Sequence, residues 1–358
     1  MNTEDLLDIV RSGVLAPSAD NRSRLRFELR DSSILLWCNQ RFEEEREAHQ
    51  RILGLIGFGA TVENMLLRAN ELGFAAELVW FPSNDTRLIA RIALTRDESI
   101  QTDSLVNAIE MRHTNRRLYV GPALSSAEKI SLENDLAQIH GVNLLWLEGS
   151  RRRQALRLIW LAESERFRRE RLHHELFAAI RFDTSWTQSA ACGLPPGALQ
   201  VEPILRSLFK SLRYWPLMRA LNRIGLYRFL GLRAGFLPCW QAPALGVIAS
   251  TLPLEEGALA VGRAFERLWL RSTLLGLALQ PLAASVVLQF GDLSQEDGIS
   301  SKVGLGTKLL SGWGELIDGA TPLMVFRVGR APPVSVRAGR LPVERYMVPK
   351  EVFSGPAP

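Results

Sequence analysis

Apolar positions along the chain fall into two spacings, which predict paired strands and long helices. Short apolar-rich runs at 25–29 and 34–38, and again at 77–81 and 88–94, are joined by polar turn residues and predict two pairs of strands. Between the pairs, residues 43–73 carry apolar side chains at helical spacing. The first part of the chain is therefore predicted to be two strands, one long helix and two further strands.

The remainder is predicted to contain the same kinds of element in a looser order. A short helix at 3–10, capped by Thr3, opens the chain. The later elements are a helix ending near Arg112, a helix capped at Ser125, a strand at 142–147, a helix over 151–180, a strand at 244–249, a helix over 255–277 and a strand at 323–328. Residues 183–238 are predicted to be irregular, and the tail at 331–358 to be extended.

The two long helices share a weak repeat. A shift of 203 positions superimposes Gly59 on Gly262, Glu63 on Glu266, Leu67 on Leu270, Leu72 on Leu275, Gly73 on Gly276 and Ala75 on Ala278. A duplicated unit of this kind predicts a pseudo-twofold dimer within one chain. The alternative is a pair of unrelated amphipathic helices that share a glycine stop.

Export and membrane signals are weak in this sequence. Glu4 and Asp5 stand where a secretory signal would carry basic residues, so no signal peptide is predicted. The longest uncharged run, 272–290, is interrupted by Gln280 and Pro281. It is better interpreted as a helix that leads into a buried turn than as a transmembrane span.

Composition narrows the class of protein. With 358 residues, 47% of them hydrophobic, the chain can bury a large core as two domains or one duplicated domain. A formal net charge of +5 does not by itself indicate a nucleic-acid partner. Cys38, Cys192 and Cys239 show neither metal-ligand spacing nor a disulfide framework, which predicts a reducing, cytoplasmic compartment.

One basic segment needs its own explanation. Between Glu202 and Glu255 there is no acidic residue, whereas seven basic residues are interleaved with apolar ones. The basic residues are Arg206, Lys210, Arg213, Arg219, Arg223, Arg228 and Arg233. The segment 205–237 could be a lid, could touch an anionic membrane surface, or could pack with its basic groups reaching solvent. A lid is favoured over membrane contact, and nucleic acid is disfavoured because no readout motif is present.

The most informative polar segment is 112–116. Arg112 and Arg116 flank the hydroxyl of Thr114 at alternate positions, a donor set that suits a phosphate monoester. The competing interpretation is a solvated basic helix end.

A second polar segment, 16–21, combines a rigid Pro17 with the donors and acceptors of Ser18 and Asn21. Such a set suits a polar heterocycle or its sugar-like chain, or it is an ordinary loop. No metal site is predicted, because His173, His174 and Glu175 are adjacent on a helix and point about 100° apart.

Taken together, these segments resemble the nitroreductase superfamily, whose members bind FMN and are normally homodimers with the flavin at the subunit interface. Residues 112–116, followed by Tyr119 and the cap at Ser125, resemble the family's Arg-x-Ser-x-Arg motif and the helix after it. Residues 16–21 resemble the loop that the opposite subunit presents to the flavin.

Further segments extend the resemblance over most of the chain. Residues 59–73 and 263–276 are both similar to the family's central helix, and 322–329 resembles its closing strand. The loop occurs only in the first part and the phosphate motif only in the second. This order is similar to single-chain tandem members of the Acg type, in which two degenerate halves build one flavin site.

The resemblance implies an α+β, nitroreductase-like fold made of two degenerate halves, 1–104 and 105–358, with a basic insertion at 183–238. It implies that the phosphate of one FMN is bound by Arg112, Thr114 and Arg116, with Arg340 a further candidate. It implies that Pro17, Ser18, Ala19 and Asn21 contact the ribityl chain or ring, and that backbone N–H groups of Ala283 and Ala284 face flavin N5. The protein would be a monomeric pseudo-dimer or a homodimer.

The function implied is hydride transfer through flavin N5, from NAD(P)H or a small organic donor to an acceptor. No side chain is required as acid or base, so none is predicted to be catalytic. A non-catalytic FMN storage protein is the alternative, because the family's Gln-Pro-Trp after the loop asparagine is replaced by Arg22, Ser23 and Arg24.

Overall fold

The computed structural model describes residues 2–40, 45, 47–291 and 304–348. Its first part contains one four-stranded antiparallel sheet in the order β1-β2-β4-β3. The elements are α1 (Thr3–Val14), β1 (Leu25–Arg30), β2 (Ser33–Cys38), α2 (Ala48–Glu71), β3 (Phe74–Trp80) and β4 (Leu88–Arg96). These match the predicted strands and long helix closely. The predicted helix start at residue 43 lies outside the described residues.

The second part contains another four-stranded antiparallel sheet, in the order β5-β6-β8-β7. Its elements begin with α3 (Ser126–Ala137), β5 (Val142–Trp146), α4 (Gly149–Arg168), α5 (Glu170–Ala178), α6 (Arg206–Ser211), α7 (Trp215–Asn222), α8 (Leu226–Gly231) and α9 (Leu237–Gln241). They continue with β6 (Ala244–Ser250), α10 (Leu254–Leu274), β7 (Ala278–Pro281), α11 (Ala284–Val287), α12 (Leu305–Gly314) and β8 (Thr321–Gly329). The predicted α+β class is confirmed, and the two sheets have the same strand order.

Caps explain where two of the helices begin. In α1 the N-cap is Asn2 rather than the predicted Thr3, and its side chain accepts a hydrogen bond from the backbone of Asp5 at 2.8 Å. In α3 the predicted cap is confirmed, because Ser125 and Glu128 form a reciprocal capping box.

Three other expectations need correction. The predicted helix at 255–277 ends at Leu274, because Gly276 takes a left-handed conformation and the chain turns into β7, a strand that sequence patterning missed. The helix expected before Arg112 is only a 3-10 turn at Ser104–Ala108. The segment 183–238 is irregular only as far as residue 205, beyond which α6 to α9 follow closely on one another.

The helices of that segment surround a small core of their own. Phe167 and Phe177, from α4 and α5, pack with Leu212 and Met218 in and around α6 and α7. Short amphipathic turns are long enough to cover this core, although each is too short to show a clear period in the sequence.

The two long helices α2 and α10 cross at very close range. A Cβ atom built on Gly59 would lie 2.1 Å from the carbonyl oxygen of Leu259, and one on Gly262 would lie 2.1 Å from that of Ile56. Under the shift of 203, Ile56 is equivalent to Leu259 and Gly59 to Gly262. The contact is therefore reciprocal, as in a twofold interface.

The uncharged run 272–290 is not one continuous helix, because it forms the end of α10, then β7, then α11. Within the described ranges, α2 is the one helix long and apolar enough to cross a bilayer, and 72% of its most apolar window is buried inside the molecule. That burial is typical of a core helix. In the tail, residues 331–348 have one 3-10 turn at Val343–Tyr346, and 349–358 lie outside the described residues.

Candidate functional site

A cavity of about 490 Å³ lies between parts of the chain that are far apart in sequence. Its volume is within the range of sites for small molecules and cofactors. The residues singled out in the sequence all line it: Pro17, Ser18, Ala19, Asn21, Arg112, Thr114, Arg116, Ala283, Ala284 and Arg340. The structure therefore brings all ten together, although it gives them different partners.

The loop after α1 is held rigidly by its asparagine. Asp20 and Asn21 both adopt the left-handed conformation, at φ 54° and 55°, which these residue types tolerate better than most. The buried Asn21 amide donates to the carbonyls of Ala190, Gly193 and Gly339 at 3.0–3.3 Å. Its polar atoms are thus used within the protein, so Asn21 shapes the loop.

Within the same loop, the hydroxyl of Ser18 is a different case. Its Oγ is buried and has no hydrogen-bond partner among the described residues. A buried hydroxyl without a partner costs free energy unless a ligand satisfies it. Ser18 is therefore available to a polar ligand in the cavity.

Arg340 fixes the loop from the opposite side. Its five N–H donors all have acceptors, which are the carbonyls of Val14, Leu15, Ala16 and Gly339 and the side-chain oxygen of Asn21. Burial lowers its pKa to about 10. Arg340 thus caps the carboxyl end of α1 and has no donor left for a phosphate.

Arg112 is also committed within the protein. Its Nη2 donates to the carbonyl of Leu15 at 2.8 Å, and its Nε lies 3.1 Å from Oε1 of Glu266. The guanidinium sits 4.5 Å from the centre of the Trp269 ring. Burial raises the pKa of Glu266 to about 7, against the opposing charge of Arg112.

Backbone contacts fix the loop that carries Thr114 and Arg116. Thr114 forms an isolated bridge with Leu279 of β7, and the backbone N–H of Asn115 donates to the Leu279 carbonyl at 3.1 Å. Tyr119 donates its hydroxyl to the carbonyl of Asn115 at 2.8 Å. Arg112, His113, Thr114 and Arg116 line the cavity, whereas Asn115 and Arg117 do not.

Arg327 of β8 also holds this loop in place, and the sequence analysis did not identify this residue. Its fully buried guanidinium lies 3.8 Å from the centre of the Tyr119 ring and donates to Gln280 Oε1 at 2.7 Å and to the Arg117 carbonyl at 2.8 Å. The available signal was a lone arginine in the otherwise apolar run of β8.

Arg116 is a half-buried cation of the cavity lining that leaves most of its donors unused in the described structure. Its one hydrogen bond in the described structure runs to the carbonyl of Ala198 at 3.3 Å. Burial lowers the pKa of Arg116, an effect that Asp20 opposes. Burial likewise raises the pKa of Asp20, which is offset by Arg166 first and then by Arg22 and Arg116. Because Arg166 pairs with Glu163 at 2.9 Å, Arg116 has the greater need of an anion.

Two backbone donors complete the polar lining. The N–H groups of Ala283 and Ala284 precede the first full turn of α11, and none of the hydrogen bonds found among the described residues uses them. The first N–H groups of a helix lack partners within it. Both residues line the cavity, and their methyl groups leave space beside them.

A histidine and two carboxylates form a group that sequence reasoning also missed. The ligand atoms of Glu47, His49 and Glu175 lie within 4.8 Å of one another. His49 Nε2 is 2.9 Å from Glu175, whereas Glu47 is paired with Arg171 at 2.7 Å. Burial raises the pKa of Glu175, but the hydrogen bonds with His49 and Gln50 lower it by more, so the net shift is downward. The separation of these residues in the chain hid the group.

The insertion covers one side of the cavity. Five lining residues are exposed to solvent and mark its mouth: Glu202, Leu205, Leu208, Phe229 and Arg337. Three of the five, Leu205, Leu208 and Phe229, belong to the segment 205–237 that was predicted to form a lid. The mouth therefore opens through that segment.

The chain was compared with known proteins. No family model matches it, and no curated protein matches it. Among solved structures, a nitroreductase-like family protein from Bacillus cereus is 14% identical, and the match covers 71% of this chain and 98% of that one at a TM-score of 0.35.

Two further matches have the same character. A nitroreductase with bound FMN from Desulfitobacterium hafniense is 12% identical over 70% of this chain and 100% of its own, at a TM-score of 0.35. The FMN-dependent nitroreductase NfnB from Mycobacterium smegmatis, in complex with NADPH, is 14% identical over 70% and 97%, at 0.33. These neighbours are all named as nitroreductases or nitroreductase-like, the superfamily that the sequence motifs resemble. At these identities and TM-scores, the case for a ligand rests on the cavity itself.

Proposed function

We propose that the cavity binds FMN and that the protein is an oxidoreductase of nitroreductase type. The observation that carries the proposal is that residues from three separate motifs, 17–21, 112–114 with 116, and 283–284, line one cavity. The lining supplies a half-buried cation without a paired carboxylate, a hydroxyl without a partner and two free backbone donors, which suit a phosphate, a ribityl chain and a ring edge.

FMN, when bound, supplies the acceptor and donor of hydride, taken from NAD(P)H or a small organic donor and passed to an acceptor. Arg116 and Thr114 bind its phosphate, and Ser18 bonds the ribityl chain. The backbone N–H groups of Ala283 and Ala284 donate to the ring edge at N5. Pro17 and Ala19 flank the ring.

Three of the predicted ligands are given a different role in this proposal. Asn21 and Arg340 have their side-chain donors engaged by the protein, and Arg112 is held by its hydrogen bond to Leu15 and its ion pair with Glu266, so all three position the loop and the phosphate site. This assignment follows from hydrogen-bond capacity, since a donor that already has an acceptor is not available to a ligand.

We also propose that residues 1–104 and 105–358 are two halves of a duplicated unit, the second with its insertion at 183–238. The common strand order and the reciprocal glycine contact between α2 and α10 support this. In this proposal the protein is cytoplasmic, which the free state of all three cysteines supports.

The first test is the loss of the phosphate contact. Arg116→Ala should weaken FMN binding about tenfold to a hundredfold, because charge-assisted hydrogen bonds contribute about 1.5–3 kcal/mol. Riboflavin, which lacks the phosphate, should bind the wild type and the variant equally. Both affinities are measured by quenching of flavin fluorescence.

Arg117→Ala is the matched control, because Arg117 does not line the cavity. It should leave FMN affinity unchanged. If both variants bind FMN as the wild type does, the phosphate lies elsewhere. If purified protein neither carries flavin nor takes it up, the proposal fails.

An FMN storage protein is the second candidate, and the cover that the insertion forms over the cavity favours it. The two candidates differ in kinetics. An enzyme should show bleaching of the bound flavin by NADH or NADPH and reoxidation by a quinone or nitroarene. A storage protein should bleach slowly or not at all. Anaerobic stopped-flow with both nicotinamides distinguishes them.

A further inference from the structure

Large apolar side chains are exposed around the mouth of the cavity. Ile204 is 89% exposed, Leu208 51% and Phe229 60%, and Ile224, just before α8, is 82% exposed. Leu208 of α6 and Phe229 of α8 line the same cavity, so both helices border its opening. We call the exposed surface of residues 204–229 the mouth face. Exposed apolar clusters of this kind mark binding surfaces.

The mouth face is also basic. Lys210, Arg219, Arg223 and Arg228 are all exposed, and the sequence has no acidic residue between Glu202 and Glu255. The acid at the edge, Glu202, is paired with Arg233. Basic and apolar side chains are thus interleaved on one surface without compensating carboxylates.

We propose that the mouth face binds the surface of an anionic lipid bilayer. Short amphipathic helices with basic and apolar residues bind such surfaces by burying the apolar side chains among acyl chains while the cations face lipid phosphates. Each Lys or Arg near an anionic membrane adds to the electrostatic attraction. A second copy of this chain is a poorer occupant, because a twofold contact would bring the same uncompensated positive surface against itself.

Binding of the mouth face to a bilayer would also determine which acceptors reach the cavity, an inference that rests on the proposed function. The mouth opens between Leu205, Leu208 and Phe229, so it would face the lipid. An acceptor with a polar redox-active head and an apolar tail, such as a lipid-soluble quinone, could enter from the bilayer without crossing water. The hydride acceptor is therefore inferred to be a lipid-soluble amphiphile.

Vesicle co-sedimentation of the full chain tests the binding surface. The wild type should sediment with vesicles of phosphatidylcholine and phosphatidylglycerol, should not sediment with phosphatidylcholine alone, and should be released by high salt. An Ile204→Asp, Ile224→Asp double variant should lose binding about tenfold or more, because two apolar contacts are removed. Ile130→Asp, at a site 53% exposed on α3, is the control and should bind as the wild type does.

The proposal is overturned if the wild type ignores anionic vesicles or if the double variant binds them equally well. It is also overturned if the double variant instead abolishes self-association, or association with an acidic protein, in the absence of lipid. FMN binding of each variant is measured separately without vesicles. A protein that binds flavin but not vesicles rejects this inference alone, and one that binds vesicles but not flavin rejects the proposed function alone.

Discussion

Two glutamates that are equivalent under the internal repeat have different partners. Glu63 accepts from Arg263 at 2.8 Å and from Arg267 at 2.7 Å, whereas Glu266 has Arg112 as its ion-pair partner at 3.1 Å. The fully buried Glu266 is held with a pKa of about 7, chiefly by burial. The matching positions therefore hold a carboxylate paired with two arginines in α2 and a carboxyl kept largely out of water in α10.

This difference predicts a pH dependence of stability. Because the folded pKa of Glu266 is raised above the usual value of about 4.3, the stability associated with its protonated form is complete below that value and is lost as pH rises through about 7. Glu266→Gln removes this titration. Its free energy of unfolding relative to wild type should rise by about 3 kcal/mol between about pH 4 and pH 8. Urea denaturation at both pH values measures it, and parallel pH profiles would contradict it.

At the residue scale, sequence reasoning found the cavity lining but not what supports it. Arg112, Thr114 and Arg116 could be found because they are consecutive alternate positions in a local motif. Arg327 and His49 are brought to the site by β8 and α2, over separations that no local pattern records. Likewise, only the folded structure shows that Arg340 has used all its donors on the end of α1, on Asn21 and on the Gly339 carbonyl.

At the scale of elements, the close crossing of α2 and α10 depends on the absence of side chains. Gly59→Ala would place a Cβ atom only 2.1 Å from the Leu259 carbonyl oxygen, well inside van der Waals contact. The helices would have to separate, at a cost of about 1–3 kcal/mol or more. Thermal unfolding should show a clearly lowered melting temperature for Gly59→Ala, and equally for Gly262→Ala.

Gly314→Ala provides the matched comparison. Gly314 ends α12, and a Cβ atom there would meet nothing within 4 Å. This substitution should be neutral or stabilising by about 0.4–1 kcal/mol, because alanine restricts the unfolded chain. If all three variants melt together, the helices do not cross as tightly as described.

Elements with strong local signals were predicted well, and those that depend on tertiary contacts were not. The alternating strands β1 to β4 and the capping box at Ser125 carry their own signals. The four-residue β7 exists because β8 offers it an edge, so its sequence alone looked like a helix end. Helices α6 to α8 are short and are stabilised by packing around Met218 and Leu212, which a search for periodicity does not detect.

At the scale of the whole molecule, the ligand cavity and the core are parts of one packed structure. The central core cluster contains side chains from α2, α10 and both sheets, and the cavity is lined by the loop after α1 as well as by residues beyond 104. FMN release and unfolding in urea should therefore have coincident midpoints when followed by flavin fluorescence and by far-ultraviolet circular dichroism. Saturating FMN should raise the midpoint, by RT ln(1 + [FMN]/Kd) in free energy. Flavin loss well before unfolding would show that one half opens independently.

The reciprocal contact between α2 and α10 is made inside a single chain, which changes how the cavity responds to dilution. A site shared by two separate subunits obeys mass action and disappears when the subunits are dilute. Here the loop at 17–21 and the loop at 112–116 are tethered, so they meet at an effective concentration set by the chain, on the order of millimolar for short flexible tethers. The lining of this cavity therefore does not depend on how many copies of the protein a cell makes.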